Sequence, residues 1–445
     1  MLIKSKCTMA SKITFRLLKI PVRLCHKTKK NVDKLGPKVS QDVVNYLENS
    51  PEYKSIIDVV PKNLLRKYKS PETMYLINRK TAKEITDTLV KYLRKDAPIV
   101  EVNPGFGFLT QELLQCQRNR IYLYETSNHF AQFLNDIKTH HPDRIKYKIA
   151  DFFGMWKLAF QDKMDQGNRI EKLLEELATD DNDRILSIVG AMPSLSFVKH
   201  LINTIVFHNA TSHLGRPDLY IVMPGHYYEF LADSSVQMNK HKSVPSLFQL
   251  LFDYEVLNKV PKVHFLPWTY TSNLQKISGS YFQQMDEFCL YLVKITQKPK
   301  LPCLPNYLPL LWYYFKRHTF SSSTRVIPML EQWIPGCGVW LITGQDPPDT
   351  NKTLSPGEDD AKLPHMTIFT EFGDLNLKQK VTVFKRFISW PEFEQCPFRV
   401  TVENNLPKFA SQIDDDDNDQ KRIIVPHIDE KTNEFHSYAS LGFES

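Results

Sequence analysis

The chain has 445 residues, 42% of them hydrophobic, with 57 Lys or Arg against 50 Asp or Glu and a formal net charge of +7. No apolar run reaches the ~18 residues of a membrane span, so no membrane insertion is expected, and seven scattered cysteines argue against a zinc site or disulfide framework and for a reducing compartment. The positive excess does not mark the whole chain as a nucleic-acid binder: residues 1–32 hold nine Lys or Arg and no acid, and the remainder is slightly acidic.

Met1 to Lys30 alternates cations with Leu, Ile, Phe and Val and contains Ser and Thr, the marks of a mitochondrial presequence. The alternative is a basic arm that stays on and touches nucleic acid. Residues 33–70 form an N-terminal extension with a helical patch at Val43 to Leu47. Thr81 to Leu93 then reads as an amphipathic helix. Pro98 to Val102 is an apolar run that breaks at Asn103-Pro104-Gly105, and Leu109 to Gln117 carries helical spacing, which predicts strand, tight turn, helix.

Ile121 to Tyr124 is a second strand-like run ending in Glu125, and Ile145 to Ala150 a third ending in Asp151. From Asp151 to Asp183 the chain is far longer than a crossover needs, and reads as an exposed insertion with a helix-like part, Arg169 to Leu177, and an acidic end, Thr179 to Asp183. Ile185 to Val189 is a fourth strand leading into Gly190-Ala191-Met192-Pro193-Ser194, and Leu219 to Met223 a fifth. After an insertion bearing Lys240-His241-Lys242, Lys262 to Phe265 and Phe288 to Ile295 complete a sheet of about seven strands over residues 71–298.

Prolines at 299, 302, 305 and 309 mark a linker into a smaller, mainly helical region, residues 299–390, with helices over Leu310 to His318 and Thr324 to Trp333. Tyr313-Tyr314-Phe315-Lys316-Arg317-His318 interleaves aromatics with cations. Such a run either stacks bases and neutralises phosphates, or puts its aromatics in the core and its cations in water. Met366 to Phe369 is strand-like and Leu377 to Ile388 helix-like. Residues 391–445 hold twelve Asp or Glu against five Lys or Arg, densest at Asp414 to Asp417. That reads as a solvated acidic tail, or alternatively as a mimic of nucleic acid that competes for a basic groove.

Four strands thus end in a turn or an acid on one edge of a parallel sheet, where open α/β sheets bind ligands. Gly105 and Gly107 let backbone approach a ligand, and helix-start amides supply donors. Glu125 lies about twenty residues past the first glycine, the spacing at which an acid accepts both hydroxyls of a ribose. Asp151 is placed to accept from an adenine amine. The bland alternative is plain strand ends with solvated acids.

Glu101-x-Asn103-Pro104-Gly105-x-Gly107-x-Leu109-Thr110, Glu125 and Asp151-Phe152 resemble the cofactor motifs of the rRNA adenine dimethyltransferase family. Asp151-Phe152-Phe153, Val189 to Ser194, Phe315 to Phe320 and Thr324 to Ile327 make the chain most similar to its mitochondrial transcription factor B branch. The resemblance spans roughly residues 60 to 345 and implies an S-adenosylmethionine-dependent, Rossmann-like methyltransferase fold with a smaller C-terminal helical domain. It implies cofactor contacts from Asn103, Gly105, Gly107, Glu125 and Asp151. Leu76 and Ile77 sit where the family closes a segment over the cofactor, although the family's Gln and Asn there appear as Met74 and Tyr75; core packing is the other role open to them. It also implies a groove for nucleic acid against the helical domain, with Lys316, Arg317 and Arg325 as candidate contacts.

The family presents a target adenine with Asn-Leu-Pro-Tyr or a close relative: the Asn side chain accepts from the amine and the aromatic stacks on the flipped base. Register from Gly190 puts Ala191, Met192, Pro193 and Ser194 at those four positions, so acceptor and stacking ring are both absent. The expectation is a retained, vestigial S-adenosylmethionine site on a protein that acts as a mitochondrial initiation factor, partnered by mitochondrial RNA polymerase and promoter DNA in the matrix nucleoid. The alternatives are an active dimethyltransferase of adjacent adenines in mitochondrial small-subunit rRNA, and a non-catalytic ribosome-assembly protein.

Overall fold

Runs in which nearly every residue is apolar or aromatic become the covered interior of one sheet. The computed structural model describes residues 39–409 apart from 69, 96, 178–185, 208–213, 233–242, 270–287, 319–322 and 344–360. Its seven main strands are β1 (Ile99–Val102), β2 (Ile121–Glu125), β3 (Ile145–Ile149), β4 (Ser187–Ala191), β5 (Asp218–Pro224), β6 (Phe252–Pro261) and β7 (Cys289–Gln297). Every residue of β1, β2 and β4 is buried, as befits strands covered on both faces. The order is β3-β2-β1-β4-β5-β7-β6, with β7 antiparallel to both neighbours and the other pairs parallel. This is the Rossmann-like methyltransferase sheet. Connections run outward in opposite directions from β1 and β4, which opens a crevice beyond the carboxyl ends of those two strands.

The sixth strand is a correction. Lys262 to Phe265 is not in the sheet: Lys262–His264 is a 3-10 turn, and Phe265–Leu266 pairs with Tyr75–Leu76 in a separate two-stranded ladder. The sheet instead takes Phe252–Pro261, which interleaves Asp253, Glu255 and Lys259 with Phe252, Val256 and Val260. An edge strand with one wet face alternates rather than running apolar throughout, so a search for continuous apolar runs passes over it.

On one side of the sheet pack α1 (Gln41–Asn49), α2 (Arg79–Leu89), α3 (Phe108–Cys116) and α4 (Ala131–His140). The N-terminal extension is tied down here by the buried Tyr53, whose hydroxyl accepts from Asn78 Nδ2 at 3.1 Å, while Asn78 Oδ1 caps α2 through Thr81 N. The long segment after Asp151 forms α5 (Met155–Asp165) and α6 (Arg169–Leu174), joined by Asp162, which accepts from the amides of Arg169 and Ile170. Its acidic end, 179–183, and Lys240-His241-Lys242 lie outside the described residues.

The other side carries α7 (Ser196–Phe207), α8 (Gly225–Ala232) and α9 (Ser243–Leu251), followed by α10 (Leu308–Tyr313), α11 (Val326–Trp333), α12 (Cys337–Thr343), α13 (Leu377–Ile388) and α14 (Pro397–Phe409). α13 has the expected limits, set by a reciprocal cap between Asn376 and Gln379. α10 continues as a π turn over Tyr314–His318. Met366 to Phe369 is irregular rather than a strand: Ile368 and Phe369 are 51% and 65% exposed and lie in a turn. The C-terminal helices share one apolar core with the sheet residues Val100, Tyr122, Ile188 and Ile221. Residue 391 is a second correction: Phe393, Phe398 and Val402 are buried and α14 packs on α10, so helical structure runs to Phe409. Asp414 to Asp417 lies outside the described residues.

Candidate functional site

The turn after β1 bends through the left-handed region at Asn103 (φ 55°), Gly105 (φ 58°) and Gly107 (φ 72°). Asn tolerates that conformation better than most residues, and here it is doubly held: its amide donates to Tyr124 O at 2.8 Å and its Oδ1 accepts from Thr126 Oγ1 at 2.7 Å. Gly107 immediately precedes α3, and a Cβ there would lie 2.3 Å from Ile137 Cδ1 of α4. The left-handed backbone favours glycine there, whereas the Ile137 methyl, at the end of a flexible side chain, could move aside. A Cβ on Gly105 would lie 3.0 Å from Tyr75 Cδ1, so the Tyr75 ring stands against this turn, and the left-handed backbone favours glycine there as well.

Glu125, at the tip of β2, is fully buried. Its Oε2 accepts from Gly105 N at 3.0 Å, and its Oε1 from Ser127 N at 2.8 Å and from the Tyr75 hydroxyl at 3.1 Å. Burial pushes its carboxyl up to about 7, against the pull of those donors. The Tyr75 ring packs on Phe130, centroids 4.8 Å apart, and its backbone is fixed opposite Leu266 in the short ladder. Leu76, the next residue, lines a cavity at the ends of β1 and β4 with Met74, Glu101, Asn103, Pro104 and Ala191. Ile77 instead is a core residue, its amide bonded to His264 O.

Glu101 is the buried acid of β1, with Thr110 Oγ1 donating to its Oε2 at 2.8 Å. Burial pushes it up to about 8; the Thr110 hydroxyl opposes the shift and the Glu125 charge adds to it. Both acids are raised from an ordinary value near 4.5, so folding takes up protons and the stability they contribute at low pH is lost as pH rises from about 4.5 to about 8. Glu101→Gln keeps an acceptor for Thr110 and removes that dependence. In urea unfolding the wild type should lose on the order of a few kcal/mol more than the variant between pH 5 and pH 8.5. Parallel losses would refute the assignment.

Asp151 stands at the end of β3, half exposed, with Oδ1 accepting from Gly154 N at 2.8 Å and Oδ2 3.8 Å from Lys157 Nζ. One carboxylate oxygen thus faces only a half-exposed cation at long range. Phe152 is core, packed on Tyr124. A Cβ on Gly190 would meet Val102 O at 3.0 Å, which holds β4 close to β1. Ala191 is the last residue of β4 and lines the cavity with no acceptor on its side chain. Met192 and Pro193 are buried, the former donating its amide to Val222 O. The Ser194 hydroxyl points to Ser196 Oγ at 3.5 Å.

In the aromatic and basic run, Tyr314 and Phe315 are fully buried and Tyr313 packs on Phe398 and Phe409, so these rings serve the core. Lys316 Nζ lies 4.9 Å from the centroid of Trp312, and the Arg325 guanidinium 5.3 Å from that of the exposed Phe369. The Arg317 side chain is outside the described residues. The structure therefore gathers Leu76, Asn103, Gly105, Gly107, Glu125 and Ala191 around one crevice, and adds Tyr75, Met74 and Glu101 to them.

These residues fit an adenosyl ligand in kind: two left-handed glycines where backbone must come close and an acid at the second strand tip, with the Gly105 and Gly107 amides themselves bonded to Glu125 Oε2 and Pro104 O. A family model described as ribosomal RNA adenine dimethylase matches residues 65–325. The chain is 33% identical over 406 residues, 84% of its length, to dimethyladenosine transferase 2, mitochondrial, of Drosophila melanogaster, of which 88% is covered. Among solved structures it is similar to the 23S rRNA methyltransferase ErmE, at 15% identity and a TM-score of 0.41, over 70% of this chain and 99% of that one. A dimethyladenosine transferase from Plasmodium falciparum aligns at 13% identity and a TM-score of 0.40, over 70% and 97%.

Proposed function

The chain belongs to the ribosomal RNA adenine dimethylase family, and on that footing we propose that it works as a mitochondrial transcription initiation factor, its S-adenosylmethionine site retained but vestigial. The carrying observation is at the end of β4: Ala191 brings a methyl group where an amine needs an acceptor, and the Ser194 hydroxyl is directed at Ser196. Methyl transfer to an exocyclic adenine amine depends on aiming its lone pair and stabilising charge as it builds on nitrogen. The bound cofactor would supply an electrophilic methyl group. This chain's own residues would bind it through Glu125, Asp151 and Asn103, with the Gly105–Gly107 backbone close against it. They offer no side-chain acceptor at position 191 and no ring at position 194 to hold the base.

What remains useful, on this reading, is nucleic-acid binding, with Lys316, Arg317 and Arg325 of the helical layer as the proposed contacts. A factor of this kind would hold a melted promoter strand for mitochondrial RNA polymerase. The presequence character of residues 1–32 supports delivery to the matrix, and the nucleoid follows from the promoter.

A second reading, active dimethylation of adjacent adenines in small-subunit rRNA, draws support from the intact Glu125–Gly105 contact. One preparation decides between them. Run-off transcription with mitochondrial RNA polymerase on a promoter template should depend on the protein, while methyl incorporation into the rRNA hairpin under saturating cofactor should stay at background. Incorporation without a transcription effect would reverse the assignment.

A further inference from the structure

The nucleoside half of the crevice is filled by the chain itself. Tyr75 donates its hydroxyl to Glu125 Oε1, the carboxylate on which the proposed function relies to hold a ribose. The amides of Ser127 and Gly105 take the remaining positions on that carboxylate, which has no exposed surface. The Tyr75 ring lies against the Gly105 backbone, on the side where a ligand would approach it. Phe130 backs the ring, and the ladder to Leu266 fixes its backbone. The cavity left between Ala191, Glu101 and Leu76 has about 30 Å3 of free space. That is room for a water molecule or so, whereas sites for small organic ligands measure roughly 300–1,000 Å3.

We propose that Tyr75 is a built-in occupant of the adenosine site, standing where the ribose of S-adenosylmethionine would lie, and that it must swing away from Glu125 before an adenosyl ligand binds. The tyrosine hydroxyl imitates the sugar hydroxyl, so the closed form satisfies Glu125 without a ligand. Binding then exchanges one hydroxyl donor for another and displaces a packed ring. Apparent affinity is lowered by the fraction of molecules in which the ring is out. This rests on the reading of Glu125 as the ribose acceptor.

The test is calorimetric titration of the full chain with S-adenosylhomocysteine. Tyr75→Asn removes both ring and plug and should tighten binding about tenfold to a hundredfold. Tyr75→Phe retains the packing on Phe130 and releases only the hydroxyl, so it should tighten binding a fewfold and guards against misfolding of the first variant. Affinity equal to or weaker than wild type in both variants overturns the proposal, as does absence of binding in all three proteins. Adding Glu125→Ala to Tyr75→Asn should cancel the gain. If the gain survives, the plug lies over something other than a ribose site, and the cofactor reading fails separately.

Discussion

Gly105→Asp should abolish S-adenosylmethionine binding and leave promoter-dependent initiation largely intact. Position 105 has φ 58°, so any side chain there carries left-handed strain of about 1–2 kcal/mol. Its Cβ would press on Tyr75 Cδ1 at 3.0 Å, and its carboxylate would face Glu125, whose Oε2 already accepts from the Gly105 amide at 3.0 Å. A second negative charge beside that buried acid repels it and fills the space against the Gly105 backbone that a ligand would need once Tyr75 has moved. A loss of at least about a hundredfold in affinity, roughly 2.8 kcal/mol, is the expected reading in calorimetry. Domain stabilities of about 5–15 kcal/mol leave room for the strain, and near-ultraviolet circular dichroism checks that the fold survives. If run-off initiation fell with cofactor binding in a folded variant, the cofactor would be part of the transcription mechanism and the term vestigial would be wrong.

How much of this was legible in the sequence follows from which residues carry their chemistry in their type. Gly105, Gly107 and Glu125 could be placed because a glycine at a strand end and an acid twenty residues on announce a backbone conformation and a charge. Tyr75 could not: it lies fifty residues before Glu125, upstream of the first sheet strand, and a tyrosine between Met74 and Leu76 looks like any core aromatic. The signal that would have found it is the mismatch itself, a large hydroxyl-bearing ring where the family has a small amide.

The interior strands were readable as apolar runs, whereas β6, half solvated at the sheet's edge, fell within the span read as an insertion. Tyr313 to His318 shows the converse limit. The same six residues suit a base-stacking surface or a core helix, and only the packing of Tyr314 against Phe372 and Phe384 decides for the core. Charge composition misplaced the end of the helical layer, because the acids from 391 onward outnumber cations while Phe393, Phe398 and Phe409 hold the segment down.

Removing residues 391–445 should therefore damage the fold well beyond what loss of a solvated tail would do. Phe393 packs on Phe387 at 5.2 Å and on Tyr307 at 6.5 Å between centroids. Phe398 meets Phe387, Tyr313 and Trp333 at 5.3, 5.4 and 5.7 Å, and Phe409 meets Tyr313 and Trp312 at 5.2 and 5.5 Å. Loss of a buried Phe side chain costs about 3–5 kcal/mol. Losing three from one core approaches the whole stability of a domain, about 5–15 kcal/mol. Because that core is continuous with the far side of the sheet, the effect should spread to α7, α9 and α10 rather than stay local. Hydrogen exchange should show those helices deprotected in a chain ending at Trp390, with a lowered and broadened thermal transition. Phe398→Ala in the full chain should cost about 3–5 kcal/mol in urea unfolding. A chain ending at Trp390 that melted with wild-type midpoint and cooperativity would mean that α14 rests on the helical layer without stabilising it, and would restore the boundary at residue 391.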